Sequence, residues 1–112
     1  MSARVETWAW IVQRASVTIL AVGVAVHLAT IVYAVRAGLS AQAILARTQG
    51  NDIWLAFYLI FVAAAALHAG IGLRVIIREM TLWRGRSLDG MAALTALLLL
   101  IAGWRAAFGL FA

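Results

Sequence analysis

The sequence predicts an all-α integral membrane protein, a bundle of three transmembrane helices, and three observations carry that reading. The 112 residues are 66% hydrophobic and only 12% charged, with a mean hydropathy of +1.03. A soluble domain of this size needs far more polar surface to enclose its core, so the composition belongs to a chain solvated by lipid. Three apolar runs, about 15–35, 53–77 and 91–110, match the roughly 20 residues needed to cross a hydrocarbon core. Proline and cysteine are absent, so no ring interrupts the runs, and disulfides, iron–sulfur ligation and thiolate zinc sites are excluded. A metal held within the spans must therefore be held by histidine.

Taken in order, residues 1–14 form a polar lead-in, with Trp8 and Trp10 placed where interfacial aromatics anchor a helix. The first run follows Arg4 and Arg14 as a signal peptide would, but it exceeds the roughly 7–15 residues of a signal core and reads as a span. The connection 36–52 has Gly38 at one end and Gly50 and Asn51 at the other as breakers, and 41–48 between them suits a short surface helix. The second span carries Trp54 and Tyr58 near its start, again suiting an interfacial belt. A basic connection, 78–90, includes Arg84, Arg86 and Asp89, and the third span ends in Trp104, Arg105 and Phe108. Without repeats or a low-complexity tail, 1–112 reads as one membrane-anchor domain.

All nine basic residues are arginines, and the formal charge is +5. No basic stripe with interleaved aromatics lies outside the spans, so the charge argues for topology and lipid headgroups, with no nucleic-acid partner. Arg4, Arg14, Arg74, Arg78, Arg84 and Arg86 fall on one side, and Arg36, Arg47 and Arg105 on the other. That bias puts the amino terminus and the second connection in the cytoplasm, as for a multi-pass protein of the cytoplasmic (inner) membrane.

Two histidines interrupt the apolar runs. A charged side chain at mid-bilayer costs about 2.5 kcal/mol or more, which makes His27 and His68 candidate functional residues. Neutral imidazole is an axial ligand of haem iron. Gly23 lies four residues before His27 and Gly72 four after His68, so each imidazole has a gap on its own face where a porphyrin edge can pass. Ser16, Gly23, His27, Thr30 and Ala34 share one face of the first span, and Phe61, Ala64, Ala65, His68, Gly72 and Val75 one face of the second.

Measured from Arg14 and Arg74, His27 lies roughly 20 Å and His68 roughly 9 Å from the cytoplasmic surface. Different levels favour two haems, each completed by another chain, over one clamped by this chain alone. The plain alternative is that each histidine hydrogen-bonds to a neighbouring helix. Arg74 and Arg78 either enforce topology or neutralise haem propionates, and Glu79 is expected to pair with a nearby arginine. At the mouth of the first span, Arg14 and Ser16, with Trp10 and Gln13 within a turn, offer donors to quinone carbonyls; the alternative is a snorkelling anchor beside a packing serine.

Gln13-Arg14-Ala15-Ser16 opening the first span, and His68-x-x-x-Gly72-x-Arg74 followed by Glu79 in the second, resemble the cytochrome b membrane-anchor subunits of succinate dehydrogenase and fumarate reductase. The likeness covers essentially the whole chain. It implies that His68 ligates haem b, that Arg14 and Ser16 lie near a quinone pocket beside the iron–sulfur subunit, and that His27 serves a second haem where there are two. It also implies a second three-helix anchor subunit and a flavoprotein subunit that carries the dicarboxylate chemistry, so the chain is not catalytic alone.

Gln13 stands where many members have histidine and Val17 where they often have glycine. No acidic residue lies inside the second span to build a distal quinone site. Two rivals stand beside this reading: the cytochrome b anchor of another respiratory oxidoreductase, such as a hydrogenase or formate dehydrogenase, and a haem-free structural subunit.

Overall fold

The computed structural model describes residues 3–112, in which every regular element is helical. The order is α1 (Ala3–Ala37), α2 (Ala41–Thr48), α3 (Asp52–Met80) and α4 (Arg86–Phe111). α1, α3 and α4 are each long and apolar enough to cross a membrane, as the expected class requires. Each also runs past its apolar span. The excess is greatest in α1, where the polar lead-in is helical too, because the segment holds no proline and meets its first left-handed glycine only at Gly38, φ +137°. Its 35 residues and the 49 Å long axis of the molecule exceed the ~30 Å hydrocarbon core. The charged ends therefore reach the headgroup region.

Local chemistry sets the breaks. Ser40 caps α2 by accepting from the Ala43 amide at 3.1 Å, and Asn51 Oδ1 caps α3 by accepting from the amides of Ile53 and Trp54 at 3.1 and 3.2 Å. The turn between α2 and α3 also closes the far end of α4. Thr48 Oγ1 donates to the Leu110 carbonyl (2.9 Å), Gln49 Nε2 to the Ala112 carbonyl (2.7 Å) and the Gly50 amide to the Phe111 carbonyl (2.9 Å). Carbonyls that a helix end leaves open, costly next to lipid, thus find donors within the chain.

α3 is the central helix, packed on α4 along one face and on α1 along the opposite one. Small residues make the α3–α4 contact. A Cβ placed on Gly70 would stand 2.9 Å from the Ala92 carbonyl oxygen and 2.9 Å from Ala96 Cβ, and one on Gly103 would run into the Val62 side chain. Ala64, Ala66, Ala92 and Ala107 are buried, and among the described residues Leu88 is the one large side chain fully enclosed. Val22, Ile60, Leu97 and Leu98 face outward. Lipid tails are as apolar as leucine, so burying large side chains gains little and close backbone approach gains more. Trp104 Nε1 adds a cross-helix bond, donating to the Leu59 carbonyl at 3.0 Å.

Gly70→Val should separate α3 from α4, since the Ala92 backbone cannot yield as a side chain would. A cost of about 1–3 kcal/mol or more, usual for overpacking, should lower the melting temperature of the purified chain in detergent. Gly109→Ala, where an added Cβ meets nothing within 4 Å, should leave it unchanged.

Candidate functional site

Both histidines lie on the α1–α3 seam. The helices run antiparallel in an unbroken register: Glu6 meets Arg78, Gln13 meets Gly72, and Gly23 meets Phe61. His68 is half-buried, and its Nδ1 is buried with no hydrogen-bond partner. Gln13 Nε2 donates to the His68 backbone carbonyl in a long bond of 3.5 Å, while Gln13 Oε1 is buried and unpartnered. A Cβ on Gly72 would meet Gln13 Nε2 at 3.6 Å, an ordinary contact. The gap at Gly72 is therefore lined by Gln13.

His27 is held among aromatics of α3, its ring centroid 6.0 Å from that of Tyr58 and 5.5 Å from that of Phe61. Its Nδ1 is likewise buried and unpartnered. The clearance expected at Gly23 is taken by Phe61, whose ring atom would come within 2.7 Å of an added Cβ. Open space lies on the other side of His27, in a cavity of about 800 Å³ whose lining includes Thr30, Ala34, Arg47, Trp54 and Tyr58. That volume lies within the ~300–1,000 Å³ usual for small-molecule and cofactor sites. Because His27 packs on residues seven and ten positions before His68, the two imidazoles stand roughly 10–15 Å apart along the bundle. One iron cannot take both.

The arginines differ from expectation. Arg74 is buried, and its guanidinium donates to Asp89 Oδ1 at 2.7 Å and to Glu6 Oε1 at 3.0 Å, joining α3 to both α4 and α1. Arg78 shares the same Glu6 oxygen at 3.1 Å. The expected pairing of Glu79 with an arginine is corrected: among the described residues the arginine partners are Glu6 and Asp89. The antiparallel register explains it, since residue 6 lies level with residues 74–78 while Glu79 is exposed on the outer side of α3. Arg74 is thus a staple of the bundle, and Arg78, 37% exposed and bonded to one carboxylate, keeps donors free. Glu6 lies on the polar lead-in ahead of the apolar segment. Burial works against its charge, but the hydrogen bonds and charges of Arg74 and Arg78 outweigh it and hold its carboxyl below the usual range.

The quinone candidates divide between two faces. Ser16 is buried, and its hydroxyl donates to the Gln13 carbonyl at 2.9 Å. Arg14 is exposed, its guanidinium 5.4 Å from the centroid of the outward Trp10 ring. Two positions apart on a helix is about 200°, so Arg14 and Ser16 cannot line one pocket within this chain. Arg47 of α2, stacked 5.2 Å over Tyr33, lines the His27 cavity and is a candidate that sequence reasoning missed. The available signal was its place in the short helix facing the end of the first span.

Three helices long and apolar enough to cross a membrane, with imidazoles on one seam and an arginine–carboxylate cluster at one end, define a multi-pass helical membrane protein. The sequence profile of the succinate dehydrogenase/fumarate reductase transmembrane subunit matches residues 1–108. The chain belongs to that family, whose members work in a complex with the other subunits of succinate dehydrogenase or fumarate reductase. No curated protein and no solved structure matches the chain.

Arg74→Met should cost about 3 kcal/mol, the low end for breaking a buried ion pair, because Glu6 and Asp89 remain 38% and 32% exposed; thermal melting in detergent measures it. A depressed carboxylate contributes stability above its unfolded pKa and loses it as pH falls through the folded value. Melting temperature should therefore drop on acidification below about pH 4.3, and Glu6→Gln should weaken that dependence.

Proposed function

We propose that the chain is the haem b-binding and quinone-site subunit of a succinate:quinone or quinol:fumarate oxidoreductase, passing electrons between the iron–sulfur subunit and membrane quinone. The observation that supports it best is the pair of buried, unpartnered imidazole nitrogens on the α1–α3 seam. Buried polar atoms in folded chains are seldom left without a partner, and an unsatisfied one calls for an explanation such as a bound group. Family membership sets aside the anchor of an unrelated respiratory oxidoreductase.

Haem b, when bound, supplies reversible one-electron iron chemistry. His68 is the ligand for it, and His27, beside the cavity of about 800 Å³, is the ligand for a second haem at the other level. Gly72 keeps the backbone next to His68 clear, and Arg78 offers its free donors to a propionate. Arg14 and Trp10, on the outer face of α1, meet the quinone headgroup where the partner subunits complete the pocket, with Ser16 packing behind them. The partners are a second anchor subunit, the iron–sulfur subunit and the flavoprotein, which dock at the end holding Glu6, Arg74 and Asp89, on the cytoplasmic face of the inner membrane. His27 has a second reading, as a residue that fills the seam with Phe61, favoured by the ring of Phe61 standing in the space that Gly23 opens.

The dithionite-reduced absorption spectrum of the intact complex tests the proposal. A b-type α band is expected, and His68→Ala should abolish or strongly perturb it; unchanged haem content would remove His68 as ligand. His27→Ala should remove a second haem, and intact stoichiometry would leave His27 its packing role. Arg14→Leu should lower kcat/KM for quinone about tenfold or more, the worth of a charged hydrogen bond, while succinate oxidation by a soluble dye persists.

A further inference from the structure

Among the described residues three buried side-chain atoms lack a hydrogen-bond partner: His27 Nδ1, His68 Nδ1 and Gln13 Oε1. Two of the three belong to one helix contact. Gln13 reaches across from α1 with its Nε2 on the His68 carbonyl and against Gly72. His27 is 14 positions further along α1, roughly 21 Å away, and takes no part. A neutral imidazole carries one N–H, and Gln13 Oε1 is a bare acceptor. The seam therefore holds an unpartnered donor and an unpartnered acceptor, complementary in kind, on two residues that already meet through the His68 carbonyl.

We infer that Gln13 is the positioning residue of His68: its carbonyl oxygen accepts the Nδ1 proton, fixing the tautomer that leaves Nε2 free as a ligand. The inference rests on the haem reading above and goes beyond it, since that reading names the ligand and this one names what orients and tunes it. Metal-bound histidines almost always donate their second N–H, and loss of that acceptor costs about 10–100-fold in metal affinity. An acceptor makes the imidazole more electron-rich and favours ferric iron, so it holds the reduction potential down. Ser16 is level with His68 by register; its proton is committed to the Gln13 carbonyl while its lone pairs stay open, so Ser16→Ala is the control that separates the two acceptors.

Redox titration of the haem α band in the intact complex tests the assignment. Gln13→Leu should raise the potential of the His68-dependent haem, by about 59 mV for each tenfold loss of preference for ferric over ferrous iron. Gln13→Glu keeps an acceptor, strengthened when ionised, and should hold the potential at or below the native value. A merely structural role would shift both variants in the same direction, which overturns the inference, as would a shift from Ser16→Ala with none from Gln13→Leu. A native complex with haem lost in His68→Ala but an unmoved potential in Gln13→Leu sinks this inference alone. A complex without haem, or one whose haem survives His68→Ala, sinks the haem reading with it.

Discussion

Among the described residues the Arg74 guanidinium is the one buried charge, and the arrangement of the helices depends on how that charge is answered. Glu6 comes from α1 and Asp89 from the start of α4, so a single side chain on the central helix holds both neighbours at one end. α1 and α4 have little direct contact, and without this junction each would be tied to α3 only through its own apolar seam. The opposite end is closed by polar bonds as well, from Thr48, Gln49 and Gly50 to the last carbonyls of α4. Directional bonds at both ends set the register, and non-directional contacts between them need only fit.

The two faces of α3 divide construction from chemistry. Towards α4 it presents Gly70, Ala66 and Val62, and the contact is so close that a methyl group has no room at Gly70 or Gly103. Towards α1 it presents Phe61, His68 and Gly72, where polar atoms are left unanswered. A tight seam tolerates no unsatisfied group because nothing can enter to satisfy it. The looser seam carries them, and a cavity beside it.

Hydrophobic periodicity and length made the three spans legible, because lipid demands about 20 apolar residues whatever the tertiary packing. Breakers at Gly38 and Gly50 likewise made α2 legible. What escaped was the choice of partners. The face of the second span built from Phe61, His68 and Gly72 was visible as a stripe, but nothing in a uniformly apolar helix said that Gly70, on the other side, would make the tighter contact. The Arg74 ion pairs escaped for a related reason: Glu79 is near in sequence, whereas Glu6 is near only once the antiparallel register is known. Arg14 and Ser16 read as one motif by spacing, yet a separation of two positions on a helix points them apart.

Glu6 and Arg74 are 68 positions apart, and that distance orders events during synthesis. α1 enters the membrane well before its partner exists, carrying a carboxylate whose counter-charge has yet to be translated. Large apolar residues face outward all along it, Val17, Val24, Leu28 and Val35 among them, which lets it wait in lipid at any rotation about its axis. Phe61 and Tyr58 are the first residues of α3 to meet the Gly23 and His27 face of α1, and Arg74, made later, closes the match at the Glu6 end. The first helix thus enters lipid before any of its partners and is seated on α3 from the His27 level towards its own start.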